Sequence, residues 1–323
     1  MCDIFSTFPA QYSLTLERNT VAAMEMNNTR FLVTGASGFL GWNICRHFLD
    51  MADVVVGTYN ASEPDHYAAN SWVRSDLTSC DPAELYRQTM PDVVVHCAAV
   101  SSRAGCEADP EMARAVNVEA PARFAAACAD AGIRMIHIST DLVFDGTAPP
   151  YAEHARISPI SLYGEMKAAA ESEVFDALPG CIVLRTALMY GPAPGGVPGS
   201  FFRWTLDALR SGELLTLYTN QVRTPLYAPD VATVIEALLR RDTAGGVYHL
   251  GGPDRLTRYE IGMRIAKEYD LPTDRIVPTL LERPFPLSAM DDTSLDSTLI
   301  RSLTGVRLHS FDSGLQAIRS IHG

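Results

Sequence analysis

Between residues 30 and 190, short β-branched runs alternate with stretches whose apolar residues recur every three or four positions. Phe31-Leu-Val-Thr34 reads as a buried strand, and an amphipathic helical pattern follows from Trp42 to Met51. Further strands are expected at Asp53 to Gly57, Ser71 to Asp76, Asp92 to Ala99, Ile133 to Ile138 and Cys181 to Leu184. Asp81-Pro82 opens a helix, with Asp at the N-cap and Pro at the first helical position. Asp109 to Ala131 reads as one long alanine-rich helix that contains Asn117 and ends at Gly132. Buried strands alternating with helices predict an α/β fold, a doubly wound parallel sheet of Rossmann type with ligands at the C-terminal strand ends.

The rhythm changes at Tyr190. Gly191 to Gly199 holds three prolines and four glycines and reads as a loop. Helical patterns follow at Phe201–Ser211, Pro229–Arg241, Thr257–Tyr269 and near the C-terminus, with short strands between them. Residues 30–190 are therefore expected to form a nucleotide-binding Rossmann domain, and 191–323 mainly a small substrate-binding lobe. Residues 1–29 fit neither and are expected to be a mobile arm. A chain starting at Met26 is expected to keep its stability.

The turn after the first strand carries Gly35, Gly38 and Gly41, a G-x-x-G-x-x-G spacing between strand and helix. Such a turn aims backbone N–H groups and a helix N-terminus at a pyrophosphate. In NAD-specific sites an acid ends the second strand and holds the ribose 2′-hydroxyl. Here that strand ends Gly57-Thr58-Tyr59-Asn60, so a 2′-phosphate is tolerated and NADP(H) is expected, with NAD(H) left open. An aspartate placed at Thr58 is expected to favour NADH.

Composition narrows the picture. A net charge of −12 disfavours a nucleic-acid surface, and no apolar run approaches the length of a membrane span. Seven scattered cysteines without a C-x-x-C pair read as buried small hydrophobes in a reducing compartment, so a cytoplasmic protein without a metal site is expected.

The chemistry is concentrated in two places. The fifth strand runs into Ser139-Thr140-Asp141, which puts hydroxyls where such sheets bind ligands. Tyr163 and Lys167 stand at i and i+4 on one helical face. A phenol titrates near 10, and a neighbouring ammonium is expected to bring it closer to neutrality. Tyr163 can then protonate an alkoxide, while Thr140 holds the oxygen as charge develops.

The glycine triplet, Asp76-Leu77, His96-x-Ala98-Ala99, Asn117, Ser139-Thr140 and Tyr163-x-x-x-Lys167 occur in the order seen in extended short-chain dehydrogenases/reductases, which the chain resembles from Arg30 onward. Ile138–Gly146, Asn220–Pro225, Pro229–Ala232, Arg283-Pro and Met290-Asp look like dTDP-4-dehydrorhamnose reductases. The regulatory β subunit of methionine adenosyltransferase is similar through the same segments. The resemblance implies Thr140, Tyr163 and Lys167 as catalytic residues, with Asn117 in a water-linked supporting role. It implies cofactor contacts from Gly35, Ser37, Gly38, Phe39, Leu40, Tyr59, Asp76, Leu77, Cys97, Ala98, Ala99, Ser139, Tyr163, Lys167, Thr186 and Leu188. It offers Ser101, Asp141, Arg223 and Arg283 as substrate contacts. The activity implied is NADP(H)-dependent reduction of a nucleotide-activated 4-keto sugar, with a homodimer as one assembly. Two alternatives stand beside it: an NAD-dependent epimerase or dehydratase of nucleotide sugars, and a non-catalytic NADP-binding regulatory subunit.

Overall fold

The computed structural model describes residues 24–61, 64, 68–194, 200–281 and 292–322. The first half of the chain runs β1 (Arg30–Thr34), α1 (Phe39–Phe48), β2 (Val54–Tyr59), β3 (Ser71–Arg74), α2 (Pro82–Thr89) and β4 (Val93–His96). It continues with α3 (Arg103–Ala108), α4 (Pro110–Arg114), a π-helical turn (Ala115–Glu119), α5 (Ala120–Ala131), β5 (Arg134–Thr140), α6 (Leu162–Ala177) and β6 (Ile182–Thr186). Beyond it lie β7 (Met189–Tyr190), α7 (Phe201–Arg210), β8 (Leu215–Tyr218), β9 (Val222–Arg223), β10 (Leu226–Tyr227) and α8 (Ala228–Arg240). The last elements are β11 (Gly246–Leu250), β12 (Leu256–Thr257), α9 (Arg258–Glu268), β13 (Ile276–Thr279), α10 (Thr298–Thr304) and α11 (Phe311–His322).

Seven parallel strands form the central sheet in the order β11-β6-β5-β4-β1-β2-β3. The order reverses between β1 and β4, which places a crevice beyond the C-terminal ends of those strands. Both faces of the sheet are covered, so successive strand residues enter opposite cores. Phe31 and Val33 join one core with Phe48, Val95, Ile235 and Leu238, while Leu32 joins the other with Val94, Phe124, Met135 and Val183.

Three expectations are refined here. The segment after residue 190, expected to be mainly lobe, also returns to the sheet: β11 pairs with β6 on the sheet edge, and α8 buries Val231, Val234, Ile235 and Leu238 in the core that contains α1 residues. An apolar helical face does not encode which layer it will cover. The lobe itself consists of α7, α9, α11, the parallel pair β8·β13 and the antiparallel ribbon β9·β12.

The expected Asp109–Ala131 helix is interrupted. Asp109 caps α4 by accepting from the Met112 N–H at 3.0 Å, and the π-helical turn then separates α4 from α5. Pro121 has no N–H to give the Asn117 carbonyl four residues back, so the regular ladder cannot pass through this point. Gly132 ends α5 at φ +67°, as its position in the sequence implies.

The third refinement concerns the arm. Residues 26–28 form a 3-10 turn, Met26 is 2% exposed, and Met24 packs against the same core. The order of this end therefore begins before Arg30. Residues 1–23 lie outside the described residues. No helix among the described residues is long and apolar enough to cross a membrane.

Candidate functional site

A cleft of about 1010 Å³ runs from the β1–α1 turn, past the ends of β4, β5 and β6, to the lobe residues Gln221, Arg223 and Arg258. At its first end Gly35 adopts φ +65°, and a Cβ there would lie 2.7 Å from the Ala98 Cα. A Cβ at Gly41 would overlap the Gly35 carbonyl, so α1 can approach the turn only with glycine at that position. No side chain caps α1 at Gly38. The first-turn N–H groups of a helix without such a cap are available to an anion. With Leu40 and Leu77 as apolar walls, this end fits a dinucleotide pyrophosphate.

All sixteen residues expected at the cofactor line this cleft, from Gly35 through Asp76, Ala99 and Ser139 to Leu188. The placement of Thr58 is different from the expected one. It is 1% exposed, and its hydroxyl accepts from the Gly35 N–H at 3.3 Å. A carboxylate there would be buried against the glycine turn, although Thr58, Tyr59 and Asn60 all line this part of the cleft. Arg74, which the sequence reading passed over, pairs with Tyr59 across β2 and β3 and donates from Nε to the Asn60 carbonyl at 3.1 Å. Its position at the end of a strand neighbouring β2 was the available signal.

Thr140 is the last residue of β5, and Tyr163 stands in the first turn of α6. Ser161 starts that helix by accepting from the Gly164 N–H at 3.2 Å. The Thr140 hydroxyl donates to Asp141 Oδ1 at 3.2 Å and lines the same cleft as the Tyr163 phenol. Lys167, one turn further on, is 2% exposed and donates from Nζ to His137 Nε2 at 3.0 Å. Accepting that bond requires a neutral imidazole, and burial together with Lys167 holds His137 well below the usual histidine range.

These contacts overturn one electrostatic expectation. Burial, with the Asp141 carboxylate second, raises the Tyr163 pKa above its ordinary value instead of lowering it. Burial also pushes Lys167 down to about 8, against the pull of Glu171 and Cys97. Desolvation outweighs the attraction between the two groups because the ammonium is turned toward β5 and bound by His137. A phenol in this state keeps its proton at neutral pH and is suited to giving it away.

Asn117 does not line the cleft. Its Oδ1 accepts from the Val100 N–H at 2.8 Å, and its Nδ2 donates to the Val100 carbonyl at 3.1 Å. The side chain is thus a clamp on the chain leaving β4. Among the expected substrate contacts, Ser101, Asp141 and Arg223 line the cleft, and Arg283 lies outside the described residues. Asp141 accepts from Thr293 at 2.6 Å and faces Arg223 Nε at 3.8 Å.

Beneath the site lies an ion pair that sequence reasoning missed. Glu171 and Arg185, 0% and 3% exposed, meet in a forked contact of 2.7–3.2 Å. Ser139 also donates to Glu171, and His249 Nε2 accepts from Arg185 Nη1 at 3.2 Å. The signal was present: Arg185 continues the apolar run Cys181–Leu184, and Glu171 sits one turn beyond Lys167.

A family model described as the RmlD substrate binding domain matches residues 29–321. The chain is 36% identical over 239 residues to a probable low-salt glycan biosynthesis reductase, Agl14, of Haloferax volcanii, an alignment that covers 73% of this chain and 78% of the relative. It is 33% identical over 255 residues to methionine adenosyltransferase 2 subunit beta of Xenopus laevis, with 77% and 75% covered. The solved dTDP-4-dehydrorhamnose reductase of Bacillus anthracis, in complex with NADP, superposes with a TM-score of 0.76 at 21% identity, covering 91% of this chain and 99% of that one. A Rossmann sheet, a glycine cradle and a Thr-Tyr-Lys cleft lie within the matched residues 29–321, and this chain belongs to the RmlD substrate binding domain family.

Proposed function

We propose that this chain is an NADP(H)-dependent oxidoreductase that reduces the carbonyl of a nucleotide-activated 4-keto sugar. The observation that carries the reading is the convergence of Thr140, Tyr163 and Lys167 on one cleft whose far end is the glycine cradle. Bound NADPH would supply the hydride. Lys167 would hold the nicotinamide ribose, Thr140 would donate to the carbonyl oxygen as charge develops, and Tyr163 would give the proton to the alkoxide. The raised pKa of Tyr163 supports the reductive direction, because the donor stays loaded at neutral pH. The similarity to Agl14, named a reductase, supports the same class. The test is single-turnover oxidation of NADPH by the purified protein with a panel of 4-keto nucleotide sugars.

Arg74 supports NADPH over NADH, because it stands beside Tyr59 and Asn60 where a 2′-phosphate would lie. Arg74→Met is expected to weaken NADPH binding about 2–5-fold, the scale of one exposed ion pair, and to leave NADH unchanged. Calorimetric titration of both cofactors checks it. An unchanged NADPH affinity removes Arg74 from the assignment.

The rate of reduction should fall as pH rises through about 8, where the lowered Lys167 pKa puts the loss of its charge. The sign follows from the group: a lysine with a depressed pKa is charged below that value and neutral above it. His137 is already neutral across this range, and Tyr163 holds its proton through it. A pH–rate profile flat to 9.5 would contradict this.

The second reading, a cofactor-binding regulatory subunit, is favoured by the likeness to methionine adenosyltransferase 2 subunit beta. Tight NADPH binding with no turnover of any carbonyl in the panel would put it first.

A further inference from the structure

The lobe end of the cleft contains a cation that the catalytic assignment does not use. Arg258 is the first residue of α9 and reaches the cleft wall beside Arg223 and Gln221. The antiparallel β9·β12 ribbon brings it there: Thr257 pairs with Val222, Leu256 pairs with Arg223, and the Arg258 N–H donates to the Gln221 carbonyl at 3.0 Å.

Its guanidinium is held on two sides. Nε donates to Gln221 Oε1 at 3.1 Å, and the plane lies over the Phe201 ring at 4.3 Å. Nη1 is buried and has no hydrogen-bond acceptor among the described residues. A buried charged donor without an acceptor is costly, and native proteins rarely keep one unless a ligand, ion or water completes it. The nearby carboxylate does not fill that role: Asp141 is engaged by Thr140 and Thr293 and faces Arg223. Burial, with the like charge of Arg223 second, pushes the Arg258 pKa down to about 9. An arriving anion would relieve both strains. A guanidinium immobilised by stacking presents its remaining N–H groups as a fixed fork, the geometry that suits phosphate and carboxylate oxygens.

We propose that Arg258 is the specificity-determining residue of this cleft and seats an anionic oxygen of the second ligand at the end opposite the glycine cradle. The inference builds on the nucleotide-sugar reading above and gives the ligand a required chemistry, an oxyanion. Two parts of such a ligand have that chemistry: a diphosphate and a sugar carboxylate.

The experiment uses the full chain saturated with NADPH. Uridine and thymidine 5′-diphosphate are titrated by calorimetry in one arm, and a free hexuronate in the other. Wild type is expected to bind in at least one arm, and Arg258→Met is expected to weaken that binding at least tenfold. Arg258→Lys restores the charge without the fork and should recover only part of the loss. NADPH affinity and the NADPH-induced melting shift should stay at wild-type values in both variants, which separates a lost seat from a damaged lobe. Loss in the diphosphate arm alone assigns the seat to the diphosphate, and loss in the hexuronate arm alone assigns it to a carboxylate.

The proposal is overturned if wild type binds neither probe, or if Arg258→Met binds as wild type does. It is equally overturned if the variant's NADPH affinity falls in step with probe affinity, because the effect is then structural. The outcome is independent of turnover. Arg258-dependent binding without carbonyl reduction would remove the reductase reading and leave the seat in place.

Discussion

Tyr163→Phe should lower the rate of carbonyl reduction about 10²–10⁴-fold, the usual loss when a positioned general acid is removed. The substitution takes away one oxygen. The ring packs beside a small core of Cys106, Ala113, Val118 and Met166, contacts that phenylalanine retains. The removed oxygen lies in the cleft with Thr140, at the end opposite the glycine cradle. NADPH affinity should therefore remain within about twofold, and the loss should appear in kcat more than in KM. Single-turnover oxidation of NADPH reads the first quantity and calorimetry the second. Wild-type turnover by the variant would rule out Tyr163 as the donor. A parallel collapse of cofactor affinity would instead show that the phenol supports the binding site.

The largest effect on stability is expected at Glu171→Gln. Glu171 and Arg185 form a forked pair with almost no exposure, and the carboxylate also accepts from Ser139. The amide would leave the Arg185 guanidinium charged, buried and without a counter-ion. Removing one partner of such a pair costs about 3–5 kcal/mol. For a chain of this size that corresponds to a fall in Tm of roughly 4–7 °C. Replacing both residues by leucine should restore part of the loss, since it removes the unpaired charge, while Ser139 and His249 still lose their partners. Scanning calorimetry of the single and double variants decides it, and a single variant that melts within about 2 °C of wild type would contradict the assignment. Glu171 also supports the charge on Lys167. In the single variant the fall in rate with pH should therefore begin below the wild-type value, an effect that a loss of packing alone would not produce.

Much of the site could be read from the chain because its parts are local. A strand, a glycine turn and a helix lie within Arg30–Phe48, and the backbone geometry of the turn follows from residue type. Tyr163 and Lys167 are one helical turn apart, so their shared face follows from helix periodicity. Residues at strand ends line the cleft because a parallel sheet gathers all its C-terminal ends on one edge.

What failed depended on contacts between distant segments. Thr58 lines the cleft as its strand position implies, and only the approach of Gly35 shows that its hydroxyl is engaged by the turn. The lysine that was expected to lower the tyrosine pKa is bound instead by His137, thirty residues away, and desolvation then sets the sign of both shifts. Arg258 carried no motif at all, and the β9·β12 ribbon alone brings it to the cleft.

The sequence by itself determined the Rossmann class, the glycine cradle, and the positions of Thr140, Tyr163 and Lys167 relative to strand and helix, because period, turn chemistry and spacing are properties of neighbouring residues. The tertiary structure alone decided that β11 and α8 return to the sheet, that Asn117 clamps Val100, that Glu171 meets Arg185, and that the Arg258 guanidinium reaches the cleft with one nitrogen unpartnered. Burial and the pairing of charges depend on which segments meet, and neither periodicity nor residue type specifies that meeting.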